Sequence, residues 1–364
     1  MITLEAFLAE WRNESPYVRV QTSGSTGEPK PMLVEKQRML ASARRTNDFL
    51  GLQEGDTALL CMSLDYIAGK MMVVRSIERN LRLIAVEPSG HPLKTWKVEG
   101  GRWRENTSAA DYSLRANLLP PSTLHPPRKS SVTFAAMVPM QVYNSLQVAE
   151  ERERLKQIKH LIIGGGAIDE ALAEELKAFP NHVWSTYGMT ETLSHIALRR
   201  LSGPEASEWY TPFPSVEVSL SEEGCLVIDA PEVCAERLVT NDIAELNDCS
   251  TFRILGRKDN VICSGGIKIQ AEEVERLLRQ HLREPYLISK RPDKKFGEVV
   301  VLLTEGDVET AKAVCEAVLP KYQQPKAYVH VDEIPLTETK KPARRQAERL
   351  AKGEGLEPIL ASLR

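Results

Sequence analysis

Nine residues near the start of the chain, Thr22-Ser23-Gly24-Ser25-Thr26-Gly27-Glu28-Pro29-Lys30, bring together four hydroxyls, two glycines and a lysine. That set suits a polyphosphate. Glycines admit backbone N–H groups to anionic oxygens, hydroxyls add donors, and the ammonium balances charge. A flexible polar turn has the same composition, so the segment alone leaves both readings open. It is not a Walker A loop, because Pro29 stands where the glycine before the lysine is required. A second segment, Tyr187-Gly188-Met189-Thr190-Glu191-Thr192, follows the strand-like His182–Ser185. A hydroxyl beside a carboxylate at the carboxyl end of a strand can hold a phosphate and a divalent cation together, where open α/β sheets bind ligands. Gly164-Gly165-Gly166 lies between a strand-like and a helix-like run, as a sharp reversal or the approach of a flat ligand requires. It lacks the G-x-G-x-x-G spacing and a suitably placed acidic residue, which argues against NAD. Gly256-Arg257-Lys258-Asp259-Asn260 and Ser264-Gly265-Gly266-Ile267-Lys268-Ile269 read as a charged turn at a domain boundary, or equally as a linker and hairpin.

The elements that must position these residues follow from periodicity. Up to about residue 250, short apolar or β-branched runs alternate with amphipathic stretches, the pattern of a largely parallel sheet flanked by helices. Strands are expected at Thr57–Met62, Leu81–Val86, Val132–Val138 and Leu161–Ile163, with helices at Ile67–Arg79 and Ala167–Ala178. Residues 90–131, rich in Pro, Gly and polar side chains, read as a long surface connection with little regular structure. From Gly256 a smaller α+β region is expected, with a helix over Ile267–Gln280, a strand at Val299–Leu303 and a helix at Val308–Val318.

Composition removes several classes of function. The 364 residues carry 47 Lys+Arg against 50 Asp+Glu, a net charge of −3, which is not the footprint of a nucleic-acid or anionic-membrane binder. The apolar runs fall well short of the ~20 residues of a bilayer span. The first residues, MITLEAFLAEW, do not read as a secretory leader. Six cysteines are scattered without a Cys-x-x-Cys pair, giving neither a zinc pattern nor a disulfide framework. The expectation is a soluble cytoplasmic enzyme.

Taken in order, these motifs resemble the adenylate-forming superfamily of acyl-CoA synthetases, peptide-synthetase adenylation domains and luciferases. TSGSTGEPK, YGMTET, Thr240-Asn241-Asp242, GRKDN and a C-terminal lysine all occur in family order between Val20 and about Arg345. The resemblance implies a large α/β domain of mixed and parallel sheets with flanking helices (1–255), shortened at its N-terminus, and a small mobile α+β lid domain (256–364). It also implies ATP, Mg²⁺ and CoA as cofactor and co-substrates. Thr22, Ser23, Gly24, Ser25, Thr26, Gly27 and Lys30 would handle the β,γ-phosphates. Gly164, Gly165 and Gly166 would line adenine and the acyl pocket, with Tyr187 and Gly188 against adenine. Thr190 would bind the α-phosphate and Glu191 the Mg²⁺. Asp242, assisted by Arg257, would hold the ribose, Asp259 would be the hinge, and Gly265 and Gly266 would border the CoA tunnel. The segment Leu336–Arg344 resembles the catalytic-lysine loop and aligns Lys341 with the lysine, Lys340 remaining the alternative. The loop begins at residue 22, far earlier than in typical members, so an N-terminal subdomain is expected to be missing or reduced, and oligomerisation is one way to cover the exposed sheet.

Within the superfamily, Ser63–Arg79, Met137–Leu146 and MTETLSHIALRRL look most like o-succinylbenzoate–CoA ligases of menaquinone synthesis. The resemblance implies a small-molecule carboxylic acid as substrate, held by Tyr66, Lys70, Met137, Gln141, Met189, Ser194 and His195. Lys70 is the expected partner of the second carboxylate. The alternatives are another carboxylate–CoA ligase, a free-standing adenylation enzyme loading a carrier protein, or a non-catalytic nucleotide-binding relative.

Overall fold

The computed structural model describes residues 2–21, 31–94, 96–99, 102–105, 110–113, 132–166, 168, 170–247, 250–337 and 341–354. The chain divides into two compact units. One comprises Met1–Val218 with Ile228–Leu238 and Asn247–Phe252; the other comprises Ser219–Val227, Val239–Leu246 and Arg253–Arg364.

The first unit is built on an eight-stranded sheet. Its order is Thr211–Pro212, Ser194–Arg200, His182–Met189, His160–Ile163, Phe134–Met137, Thr57–Leu60, Arg82–Ala85 and Ala110–Ser113. The five strands from His182–Met189 to Arg82–Ala85 pair in parallel, and the neighbours at both ends are antiparallel. Parallel neighbours need crossover connections, and the chain supplies them as helices. Helix α1 spans Leu4–Arg12, with the Thr3 hydroxyl accepting from the Ala6 N–H as its N-cap. Helix α2 (Lys36–Leu50) ends on Gly51 at φ 63°, and α3 (Ile67–Arg79) ends on Asn80 at φ 52°. Both terminators are residue types that tolerate the left-handed conformation. The core on one sheet face gathers Leu59, Cys61, Met137, Leu161, Ile163 and Val183. On α3, every residue from Gly69 to Ser76 is buried, so its polar side chains are desolvated along with its apolar ones.

Within residues 90–131, the described segments 96–99, 102–105 and 110–113 are strands where little regular structure is expected. Strands Trp96–Glu99 and Arg102–Glu105 pair with each other, and Ala110–Ser113 extends the large sheet beside Arg82–Ala85. Local Pro and Gly content did not reveal a strand that is defined by its neighbour.

The second unit takes the greater part of strands Cys225–Asp229, Leu238–Leu246 and Phe252–Arg257, which pair in that order. It also contains a sheet in the order Ile267–Gln270, Val261–Ser264, Gly297–Thr304 and Tyr286–Asp293, with Ala327–His330 paired to Gly297–Thr304. The expected helix over 267–280 is corrected here. Ile267–Gln270 is a strand, and the helix runs only from Ala271 to Leu278. Gly265 and Gly266, at φ 57° and 83°, make the two-residue turn that pairs Ser264 with Ile267, Ile262 with Ile269 and Val261 with Gln270. Alternating β-branched residues beside such a turn favour a hairpin over a helix. Among the described residues, no helix is long and apolar enough to cross a membrane.

Candidate functional site

The segment Tyr187–Thr192 ends the strand His182–Met189 and turns into its antiparallel partner. A bulge falls between Tyr187 and Gly188, and a Cβ at Gly188 would lie 2.2 Å from the Ser194 carbonyl oxygen and 2.4 Å from His195 Cα. Only glycine lets the returning strand come this close. The turn is braced from within. The Met189 N–H donates to Thr192 Oγ1 (3.1 Å), Thr192 Oγ1 donates to the Ser194 carbonyl (2.7 Å), and the Leu193 N–H donates to the Thr190 carbonyl (2.9 Å). Thr190 is buried and Glu191 is exposed. Tyr187 belongs to an aromatic group with Phe252 and Tyr210, at ring-centroid distances of 5.1 and 5.8 Å. Gly164 follows the strand His160–Ile163, its N–H donating to the Met137 carbonyl (3.0 Å); its missing Cβ leaves room for Thr186 Oγ1, and Gly165 takes φ 82° before Gly166.

The same turn delivers Ser194 and His195 to a buried cation that sequence reasoning missed. Arg75, on α3, is 1% exposed. Its Nη2 donates to Ser194 Oγ (2.7 Å); among the described residues its Nη1 meets only the Met72 sulfur (4.0 Å) and its Nε has no partner. Among the described residues no carboxylate pairs with it, and burial pushes its pKa down to about 9. His195, also buried, contacts Ser194 Oγ through Nδ1 (3.2 Å) and Thr46 Oγ1 of α2 through Nε2 (3.0 Å). Burial, then the charges of Arg75 and Arg45, hold its pKa well below the ordinary histidine value. The signal available in the sequence was an arginine closing the apolar run Met71–Val74.

Lys70 sits elsewhere. Its ammonium donates to the Arg19 carbonyl and lies 5.8 Å from the Phe7 ring centroid, beneath α1. Burial lowers its pKa, which Glu10 and Asp65 partly oppose. Gln141 is likewise committed to backbone. Its Nε2 donates to the Cys61 and Ser89 carbonyls (3.0 and 2.9 Å), and its Oε1 accepts from the Val138 N–H (3.1 Å). Met137 packs in the core, Tyr66 is the half-buried residue before α3, and Met189 ends its strand half-buried. Thus Ser194 and His195 meet at Arg75, whereas Lys70 and Gln141 serve the backbone.

In the second unit, one guanidinium bridges two carboxylates. Arg257 Nη1 donates to Asp242 (3.3 Å) and Nη2 donates to Asp259 (2.9 Å), which also accepts from Asn241 Nδ2 (3.3 Å). Lys341 stands on a loop closed by a Leu336–Pro342 bridge. The Thr337 N–H donates to the Lys341 carbonyl (2.7 Å), and the Lys341 N–H donates to Thr337 Oγ1 (3.1 Å). Arg344 anchors the far side of this loop, donating to both oxygens of Glu275 (2.7 and 2.8 Å) and to the Ile288 carbonyl (2.8 Å). Burial first, then the positive charge of Arg257, lower the Lys341 pKa. Gly265 and Gly266 occupy the hairpin turn described above.

The phosphate-type residues Thr22, Ser23, Gly24, Ser25, Thr26, Gly27 and Lys30, and the alternative lysine Lys340, lie outside the described residues. The strands on either side of residues 22–30, Tyr17–Gln21 and Pro31–Glu35, pair antiparallel with Gln21 opposite Pro31.

Comparisons with known proteins bear on the family and the fold. A family model described as AMP-binding enzyme matches residues 115–233. The 2-succinylbenzoate–CoA ligase of Bacillus cereus is 25% identical over 373 residues, covering 94% of this chain and 71% of its own length. A solved structure from Dyadobacter fermentans, an AMP-forming acyl-CoA synthetase/AMP-acid ligase II-like protein, is 30% identical, with 93% of this chain and 91% of that one covered and a TM-score of 0.58. The o-succinylbenzoate coenzyme A synthetase of Bacillus subtilis, solved with ATP and magnesium, is similar in fold at 21% identity and a TM-score of 0.68, over 90% of this chain and 69% of that one.

Proposed function

The chain belongs to the AMP-forming acyl-CoA synthetases of the adenylate-forming family, and from that premise we propose that it activates an aryl dicarboxylate of the o-succinylbenzoate type with ATP and passes it to CoA. The observation that carries the substrate class is Arg75. A guanidinium buried without a counter-charge is costly, and an anion entering its surroundings recovers that cost. Arg75, and not Lys70, is the cation for the second carboxylate. A curated relative matched over 94% of this chain is named for the same acid.

In the first half-reaction, a substrate carboxylate oxygen attacks the α-phosphorus of ATP. The bond to the bridging oxygen breaks and pyrophosphate leaves. Two anions must approach, so the protein's work is positioning and charge neutralisation. Thr190 offers a hydroxyl to the α-phosphate, and Lys341 stabilises the charge on the pentacoordinate phosphorus and the leaving group. Thr22, Ser23, Ser25, Thr26 and Lys30 hold the β,γ-phosphates. Tyr187 stacks on adenine, and Asp242, oriented by Arg257, takes the ribose hydroxyls. Among the described residues no group of three His, Cys, Asp or Glu side chains can hold a metal. Mg²⁺ is commonly bound by one or two carboxylates plus substrate phosphates, and Glu191 would supply the carboxylate. When bound, the ion neutralises phosphate charge. In the second half-reaction, the CoA sulfur attacks the acyl carbonyl, AMP leaves and the thiol proton is lost. Rotation about Asp259 separates the two halves, and Gly265-Gly266 leaves room for the pantetheine arm.

The test is AMP release from a panel of acids with ATP and CoA, with the thioester identified by mass. The o-succinylbenzoate should be turned over far faster than aryl monocarboxylates. Equal rates across the panel, or AMP release without free acyl-CoA, would defeat this reading.

A further inference from the structure

The contacts around Arg75 form a chain in which one direction of hydrogen bonding uses every hydroxyl hydrogen. A guanidinium has donors and no acceptor, so Ser194 Oγ accepts from Arg75 (2.7 Å). In that direction the Ser194 hydroxyl donates its hydrogen to His195 Nδ1 (3.2 Å), which then carries a lone pair. A neutral ring with Nδ1 unprotonated bears its hydrogen on Nε2 and donates it to Thr46 Oγ1 (3.0 Å). The Thr46 hydroxyl passes its own hydrogen to the Ser42 carbonyl on α2 (3.3 Å). Thr46 and His195 are buried, which shields the bond between them from water, and Ser194 is half-buried. The path begins at a helix carbonyl, which cannot move without unwinding α2, and ends at one edge of the guanidinium. Among the described residues Nε–H has no partner, and Nη1 meets only the Met72 thioether.

We propose that His195, protonated on Nε2 alone, is a positioning residue for specificity. Acting through Ser194 and anchored by Thr46, it fixes the plane of the Arg75 guanidinium so that the uncommitted N–H groups meet the second carboxylate of the acid. This rests on the reading of Arg75 given above. It changes the expected role of His195, which touches no substrate atom, and brings in Thr46, which no motif contains. A planar guanidinium matches a carboxylate only when coplanar with it, so a few tens of degrees of freedom at Arg75 would cost selectivity while leaving the phosphorus chemistry in place.

The experiment compares His195→Leu, His195→Gln, Thr46→Val and Arg75→Met. It measures KM and kcat for o-succinylbenzoate and for an aryl monocarboxylate, together with KM for ATP. Nitrogen-15 NMR of ring-labelled histidine in the wild-type protein reads the tautomer. His195→Leu should raise KM for the dicarboxylate about tenfold with less than threefold change in kcat, equivalent to about 1.4 kcal/mol. KM for ATP and for the monocarboxylate should stay within about twofold. His195→Gln, whose amide offers an acceptor and a donor, should recover most of the loss, and Thr46→Val should lose about threefold. The ring should show an unprotonated Nδ1 and a protonated Nε2. Equal rises for both acids, a loss confined to kcat, or a ring protonated on Nδ1 would overturn the proposal. Should His195→Leu not fold, Thr46→Val and the NMR signature decide. If Arg75→Met loses the dicarboxylate while the His195 and Thr46 variants keep it, the positioning role alone falls. If Arg75→Met keeps it, the reading of Arg75 falls as well.

Discussion

The two arginine-centred clusters make opposite use of the same side chain. Arg257, in the second unit, divides its donors between Asp242 and Asp259, and its side chain is 38% exposed. Its charge is balanced on the spot and screened by solvent, so each ion pair contributes modestly to stability. Arg75, in the first unit, is enclosed and has a hydroxyl and a thioether where carboxylates would be expected. A matched cation organises its own neighbours, whereas an unmatched buried one is organised for something that arrives. Burial is therefore what turns a missing partner into information about a ligand.

The largest effect is expected on the side of the matched cluster. Lys341→Ala should reduce adenylate formation by ~10³-fold, the scale of losing one electrostatic stabiliser. CoA transfer from pre-made acyl-adenylate should remain, as pyrophosphate exchange and single-turnover thioester formation would show. A normal Lys341→Ala with a crippled Lys340→Ala would shift the assignment by one residue. The pH dependence has a definite sign. In the role proposed for Lys341 the ammonium form acts, and burial and Arg257 lower its pKa. Adenylation should therefore fail on the alkaline side earlier than an ordinary lysine would dictate. Arg257→Gln, by removing a like charge, should move that alkaline limb to higher pH.

Next comes the direct contrast of the two arginines. Arg75→Met should lower kcat/KM for the dicarboxylate about 100-fold, or ~2.7 kcal/mol, within the range for a charge-assisted hydrogen-bonded contact. The same change removes an uncompensated buried charge, so the unliganded protein should melt several degrees higher. Arg257→Gln should do neither: it should raise KM for ATP and affect all acids alike. An Arg75→Met protein that melts lower would mean that the guanidinium is a structural brace and would erase the distinction.

A smaller effect is expected at the edge of the matched cluster. Asp259→Pro fixes one φ angle and removes an N–H and a carboxylate. If residue 259 is the hinge, thioester formation should fall about tenfold while pyrophosphate exchange persists. Equal damage to both half-reactions would point to local misfolding.

What could be read without the structure follows from how local each feature is. The bounds of α3 and of the helix Val308–Val318 match their patterns because local residues set them. Asn80 ends the first in a left-handed cap, and Asp307 caps the second through the Thr310 N–H. Ile267–Gln270 was read as helix because its strand character depends on pairing with Val261–Ser264. The site divides the same way. Ordered motifs point to Thr190, Glu191, Asp242 and Arg257, but that no carboxylate among the described residues pairs with Arg75 is a tertiary fact. Lys70 and Arg75 lie on the same buried helix, and only the fold reveals which of them has its donors taken.

That last pair gives the smallest expected effect and the sharpest control. The Lys70 ammonium is held by the Arg19 carbonyl and lies over Phe7, with Glu10 and Asp65 contributing favourable charge. Arg19 lies on the strand Tyr17–Gln21, which leads directly into residues 22–30. Lys70→Met keeps the length and apolar body of the side chain but removes the charged donor to the Arg19 carbonyl, a loss of about 1 kcal/mol. The variant should melt at lower temperature, and KM for ATP should rise a few-fold because the strand entering the phosphate segment loses its brace. The ratio of KM values for the dicarboxylate and a monocarboxylate should change by less than about twofold. A tenfold change in that ratio, with KM for ATP unmoved, would return the second carboxylate to Lys70 and leave Arg75 as the structural member of the pair.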